Sequence, residues 1–341
     1  MTRSAFLVPP AGPPAGLERG PCRGDPAQVA RLKRWSAPGV PSGIGMRVNH
    51  RAILSIGLRS LQISFLVVAL AFAGAPHGHA QGGPASASDP NLAHPTSVVT
   101  ARRDGYSISG LATHLQGAKT FKHGIVLFPG YPSIMKLADD GGQPKFELRG
   151  NFLVRSRRHW LDDETLVLVV DAPSDQWASF SQQFRASPRY GADVEALLKE
   201  TSQRYTVENW TFVGTSEGSV SAFHAARMNP LLARRTILTA SLFQSTRNGP
   251  GLSSVAWAEL PGELLWVHHE ADPCAVTSYR DAMEFSRRTG KPLLTARGGG
   301  PGRGAVCEAF TAHGFVGVER ETVIAMRSWV KTGVVPADVI P

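Results

Sequence analysis

The sequence predicts an α/β fold in which a mostly parallel central sheet is flanked by helices. Three observations carry that expectation. Short apolar runs such as Gly124–Phe128, Thr165–Val170 and Leu264–Val267 read as strands buried on both faces. Segments with apolar residues at helical spacing separate them, and strands alternating with helices imply a parallel sheet covered on both sides. The stretch between the apolar runs at Thr236 and Leu264 is too short to hold a large cap domain, and no internal repeat is evident.

Taken in order, Ser97–Ala101 and Tyr106–Leu115 read as an opening antiparallel pair around an Asp104-Gly105 turn. Gly124–Phe128 is the next strand, followed by a helix over Asn151–Leu161 and the strand Thr165–Val170, which ends at Asp171-Ala172-Pro173. A helix over Tyr190–Arg204 presents Val194, Leu197 and Leu198 on one face. The strand Trp210–Val213 then runs into a helix over Ser216–Met228, stopped by Asn229-Pro230. Strands at Thr236–Thr239 and Leu264–Val267, a short helix at Asp281–Arg288, a strand at Pro292–Ala296 and a helix at Glu319–Lys331 complete the series.

The first 80 residues read differently from the rest. Residues 1–45 are rich in Pro, Gly and Arg without a hydrophobic period and are expected to be disordered. From Met46, a basic stretch (Arg47, Arg51, Arg59), the apolar run Leu61–Ala73 and a small-residue exit ending at Ala80 have the order of a secretory signal peptide. Cleavage is expected after Ala75 or Ala80. A signal peptide should open a chain, so Met46 is the expected start and residues 1–45 an over-extended reading frame. The apolar run is short and poorly flanked on its far side for a membrane span, and a signal anchor is the alternative. Residues 81–95 are read as a flexible leader, and 96–341 as the folded domain.

Charge follows this division. Residues 1–80 hold nine Lys/Arg and two Asp/Glu, so they account for most of the formal net charge of +9. The remainder is near neutral and has no basic stripe interleaved with aromatics, which argues against a nucleic-acid partner. Of three cysteines, Cys22 lies in the first segment, leaving Cys274 and Cys307 as a pair expected to be bridged in an oxidising compartment. The expected location is periplasmic or secreted.

The chemistry centres on Gly214-Thr215-Ser216-Glu217-Gly218, between an apolar strand and a helical pattern. A serine on a tight strand-to-helix turn, with glycine two residues away on each side, reads as a nucleophile elbow. A serine hydroxyl needs an adjacent base, and histidine, oriented by a carboxylate, suits that task. In a parallel sheet these groups come from loops at the carboxyl ends of successive strands, in the order Ser, acid, His. After Ser216 the chain offers His268-His269-Glu270-Ala271-Asp272-Pro273-Cys274, then Cys307…His313-Gly314-Phe315. Asp272 is assigned as the acid and His313 as the base. Glu270 and Asp171 are the alternative acids. His94, His114, His123, His159, His224, His268 and His269 do not lie between the last strand and the closing helix.

A Cys274–Cys307 bridge would tether the acid loop to the base loop, or only stabilise the fold. The backbone N–H groups of Glu217 and Tyr131 are the candidate oxyanion donors, with Gly130 allowing close approach; Pro132 has no N–H. His268-His269-Glu270 with Asp272 could be taken for a metal site, but neighbouring strand residues point to opposite faces, so no metal is expected. Gly298–Gly302 lacks the ending of a phosphate loop.

From about Gly124 to Lys331 the chain resembles the α/β-hydrolase superfamily, and more specifically exported bacterial members with a Gly-Thr-Ser-x-Gly elbow, a His-His-x-x-Asp-x-Cys acid loop and a Cys…His-Gly-Phe end. The resemblance implies a Ser-Asp-His hydrolase that needs no cofactor. The oxyanion segment departs from it, reading Phe128-Pro129-Gly130-Tyr131 in place of His-Gly-Gly. The leading expectation is an exported serine hydrolase, carboxylesterase-like, that cleaves an ester or related acyl bond of a small-molecule or peptide substrate. The alternatives are a peptidase or amidase on the same residues, or a non-catalytic binding protein that keeps the fold.

Overall fold

The computed structural model describes residues 90–339. The expectations for 1–45, for the signal peptide at 46–80 and for residues 81–89 of the leader lie outside the described residues, as do residues 340 and 341.

The opening antiparallel pair is β1 (Thr96–Arg103) and β2 (Tyr106–Thr113), joined by a turn in which Gly105 takes φ 77°. Next come β3 (Thr120–Phe128), an exposed hairpin of β4 (Ala138–Asp140) and β5 (Gln143–Lys145), α1 (Phe152–Ser156) and β6 (Thr165–Val170). Then follow α2 (Gln182–Arg185), α3 (Pro188–Arg204), β7 (Thr206–Thr215) and α4 (Glu217–Met228). The chain continues through β8 (Ala233–Thr239), β9 (Glu263–His269), α5 (Tyr279–Thr289), β10 (Leu293–Ala296) and α6 (Glu319–Thr332).

Eight strands form one sheet in the order β1-β2-β6-β3-β7-β8-β9-β10. The pairs β1–β2 and β2–β6 are antiparallel, and every later neighbour is parallel. The apolar runs are continuous because alternate residues feed two cores. Val126, Phe128, Leu166 and Leu168 face Leu197, Val220 and Phe223 of α3 and α4, while Ile125, Leu127, Val167 and Val169 face Phe152, Met326 and Trp329 of α1 and α6. Between β8 and β9, the regular structure is a single 3₁₀ turn at Trp257–Glu259, so no cap domain interrupts the sheet there.

The helix expected over Asn151–Leu161 is shorter. It ends at Ser156 and continues as a 3₁₀ turn over Arg157–Trp160. Asn91 is responsible: its Nδ2 donates to the Arg155 carbonyl and its Oδ1 accepts from the Arg158 N–H, both at 3.1 Å, so two backbone groups leave the helical ladder. Asn91 lies in a 3₁₀ turn at Pro90–Ala93 and is buried, so the last residues of the expected leader are packed against the domain.

Candidate active site

The elbow is built by steric exclusion. Ser216 follows the end of β7 at φ 51° and ψ −124°, a left-handed conformation costly for a non-glycine residue. A Cβ on Gly214 would lie 2.3 Å from the Gly218 carbonyl oxygen, and one on Gly218 would lie 2.0 Å from the Phe128 oxygen. Only glycine lets α4 descend this closely onto the ends of β7 and β3. The Ser216 N–H lies 3.1 Å from both the Thr239 and Ala240 carbonyls, which pins the turn to the end of β8. Glu217 follows as the first residue of α4, where a helix leaves its N–H without an intrahelical partner.

The segment after β3 lies beside this turn. A Cβ on Gly130 would sit 3.2 Å from Ser216 Cβ, so the segment passes directly over the serine. Two side chains fix its path. Ser133 Oγ donates to the Pro129 carbonyl at 2.6 Å, and the Asp171 carboxylate accepts from the N–H groups of Met135 at 2.6 Å and Leu137 at 2.8 Å. Burial pushes the Asp171 carboxyl up to about 6, against the pull of these N–H donors. Asp171 therefore holds the continuation of this segment at Met135 and Leu137, and not a histidine. Tyr131 is exposed, with its hydroxyl 3.3 Å from the Arg247 guanidinium.

Asp272 and His313 meet. The His313 Nδ1–H donates to Asp272 Oδ2 at 3.0 Å, and both side chains are almost wholly buried. Asp272 is saturated by further donors: the Cys274 N–H to Oδ1 and the Thr277 hydroxyl to Oδ2, each at 2.9 Å. Glu270, the alternative acid, turns outward to an ion pair with Arg297 at 2.7 Å. Ser216, Asp272 and His313 follow β7, β9 and β10, and because these strands are parallel all three stand at the carboxyl edge of the sheet. The contact between Asp272 and His313 is made; the Ser216 hydroxyl has no hydrogen bond among the described residues, to His313 or to any other group.

His268 and His269 leave β9 on opposite sides. His268 stacks on Phe243 and its Nε2 accepts from the Ser241 N–H at 2.9 Å; burial depresses it to about 4. His269 sits near Phe315, its Nε2 3.0 Å from the Gly298 carbonyl. Among the described residues no group of three His, Cys, Asp or Glu side chains is arranged to hold a metal ion.

An eight-stranded, mostly parallel sheet with a strained serine at the turn from a central strand into a buried helix decides the architecture. The chain adopts the α/β-hydrolase fold. No protein-family model matches the chain, and no curated protein matches it. Solved structures do. Est1E from Butyrivibrio proteoclasticus is 12% identical with a TM-score of 0.47, over 69% of this chain and 98% of that one. A CIB-like hydrolase from Thermoplasma acidophilum is 14% identical with a TM-score of 0.43, over 69% and 99%. Dipeptidyl peptidase 4 from Porphyromonas gingivalis is 13% identical with a TM-score of 0.41, over 60% of this chain and 32% of that one.

Within this hydrolase fold, the loop that carries His313 is cross-linked. Cys274 and Cys307 form a disulfide that joins it to the loop carrying Asp272. Arg155, from α1, donates to the Gly150 carbonyl at 2.8 Å and the Gly314 carbonyl at 2.7 Å, and pairs with Glu319 at 2.9 Å. A Cβ on Gly314 would lie 1.9 Å from the Ala309 oxygen, which closes the 3₁₀ turn at His313 tightly. Sequence reasoning missed Thr277 and Arg155. Nothing in their local pattern marks them, because each acts across the fold. Asn151 was legible only as the boundary of a helix.

A cavity of about 650 Å³ lies beside the start of α4, lined in part by Gln182, Val220, His224 and Asn248. Asn248 and Gln182 also hold the Glu217 carboxylate, at 3.1 and 3.5 Å, so the cavity adjoins the residue that follows Ser216. Among the described residues no helix is long and apolar enough to cross a membrane.

Proposed function

We propose that this chain is an exported serine hydrolase that cleaves an ester or related acyl bond through an acyl-enzyme. The observation that carries the reading is the buried Asp272–His313 hydrogen bond at the same sheet edge as the strained Ser216 turn. Asp272 fixes Nδ1 of the ring as the protonated nitrogen, which leaves Nε2 as the free base. His313 Nε2 takes the proton from Ser216 Oγ as Oγ bonds to the acyl carbon. The tetrahedral oxyanion accepts hydrogen bonds from the Glu217 and Tyr131 N–H groups. Collapse breaks the bond to the leaving group, which carries away the proton from His313. Water then repeats the sequence and releases the acid. A serine and histidine without a hydrogen bond are compatible with this chemistry, since such contacts tighten when substrate binds.

Export is supported by the basic, apolar and small-residue order of 46–80 and by a disulfide of a kind that persists in oxidising compartments. The same machinery serves amides, so peptidase activity is the second reading. The test is hydrolysis of nitrophenyl esters of graded acyl length beside aminopeptidase and dipeptidyl amide substrates, for wild type and Ser216→Ala. Ester turnover that is absent from the variant is expected. Turnover that survives the substitution, or none on any acyl substrate, would refute the reading.

A further inference from the structure

The Asn151 side chain is a polar group with one end engaged and the other open. It caps α1: Oδ1 accepts from the Leu153 N–H at 3.1 Å, which identifies the oxygen and turns Nδ2 the other way. The residue is only 7% exposed, yet Nδ2 has no hydrogen-bond partner among the described residues. It is also absent from the fully buried, unpartnered atoms, so it faces an opening. The Ser216 turn lies beside it. The point where a Cβ on Gly130 would sit is 3.3 Å from Asn151 Nδ2 and 3.2 Å from Ser216 Cβ. Glycine at 130 keeps the space between the amide and the serine clear.

The amide is also held rigidly. The Asn151 N–H donates to the Leu148 carbonyl at 2.9 Å and the Asn151 carbonyl accepts from the Arg155 N–H at 2.9 Å. Arg155 fixes the preceding Gly150 carbonyl and the Gly314 carbonyl of the His313 turn together. A Cβ on Gly150 would meet the Phe310 ring at 2.8 Å, so this corner is packed against the base loop. A donor locked in place before the reaction is what stabilises charge that develops only in the transition state.

We propose that Asn151 Nδ2–H is a third oxyanion donor, beside the backbone N–H groups of Glu217 and Tyr131, during acyl transfer at Ser216. The inference rests on the acyl-transfer reading above. It supplies what the Pro129-Gly130-Tyr131-Pro132 segment lacks, since Pro132 has no N–H to offer.

Two variants separate this role from capping. Asn151→Asp and Asn151→Ser each keep a good cap acceptor and remove the amide donor. For a nitrophenyl ester we expect kcat to fall about 10²–10³-fold, the size of effect seen for loss of one oxyanion donor, with KM little changed. Affinity for a boronate or trifluoromethyl ketone, which mimic the tetrahedral state, should fall in parallel while Tm stays near wild type. Variants that keep wild-type kcat and analogue affinity, with or without a change in Tm, overturn the inference alone. A wild-type chain with no Ser216-dependent turnover overturns both the inference and the reading beneath it.

Discussion

The turn that carries Ser216 and the loop that carries His313 reach fixed geometry by opposite means. The serine turn sits where β7, β8 and α4 converge, and its shape follows from backbone packed against backbone through Gly214 and Gly218. The histidine loop between β10 and α6 has as regular structure only the 3₁₀ turn at Ala312–Gly314, and it is held by discrete ties: the disulfide, the Arg155 clamp and the Asp272 hydrogen bond. Close packing tolerates no added methyl, whereas ties can be cut one at a time. The serine turn should therefore fail all at once and the histidine loop by degrees.

The largest effects come from the reacting groups. Ser216→Ala should lower kcat by up to about a millionfold and His313→Ala comparably, while Asp272→Asn costs about 10⁴-fold. Glu270→Ala, which removes only the outward pair with Arg297, should leave kcat near wild type. Steady-state kinetics on one ester checks all four. A greater loss at Glu270 than at Asp272 would reverse the choice of acid.

Gly218→Ala attacks the packed region directly. Its methyl would lie 2.0 Å from the Phe128 oxygen and 2.4 Å from the Pro129 oxygen, so β3 or α4 must move. We expect poorly folded protein, or a destabilisation at or above about 4 kcal/mol, read from denaturant unfolding. A stable, active Gly218→Ala variant would contradict the packing account of the elbow.

Cutting ties in the other region should give graded losses. Cys274→Ser with Cys307→Ser removes a link across a separation of 33 residues and should cost about 2–4 kcal/mol on unfolding, with a smaller loss of kcat. Thr277→Val takes one donor from Asp272 and should lower kcat about tenfold while Asp272 keeps its bonds to Cys274 and His313. Equal collapse of stability in these variants and in Gly218→Ala would erase the contrast between the two regions.

The smallest effect is on the pH dependence of stability. His268 is buried neutral, with its folded value lowered from 6.5 to about 4, so between these values the unfolded chain binds the extra proton. Stability should rise with pH through that window, by up to about 1.4 kcal/mol per pH unit for one proton, and be lost on acidification. His224, also lowered by burial to about 4, adds a slope of the same sign, while Asp171, raised from 3.8 to about 6, works the other way, its contribution falling as pH rises over the same range. His268→Gln leaves the His224 and Asp171 slopes opposed and should flatten the profile of Tm against pH between about 4 and 6. An unchanged profile would show that His268 is not the buried neutral group described.

The buried strands were legible because each is an unbroken apolar run, and the elbow because its glycines flank one serine. The β4–β5 hairpin was not, since Ala138–Asp140 and Gln143–Lys145 are polar and exposed with no apolar face to read. Ser187-Pro188, just before the helix expected from Tyr190, is that helix's start: the Ser187 hydroxyl caps α3 and Pro188 occupies its first turn. The α1 boundary was misread because the residue that breaks its ladder, Asn91, lies 64 positions from Arg155. Strand order delivered Asp272 and His313 as partners. Thr277 and Arg155 stayed hidden because their hydrogen bonds exist only once distant loops have met.

The central claim is that Ser216 is a nucleophile activated by the buried Asp272–His313 pair. Labelling of the purified chain with a fluorophosphonate, with the modified residue located by mass spectrometry, tests it most directly. The account predicts one adduct, on Ser216, that forms slowly in His313→Ala and is absent from Ser216→Ala. No adduct on the wild-type chain, or an adduct undiminished in Ser216→Ala, would contradict it.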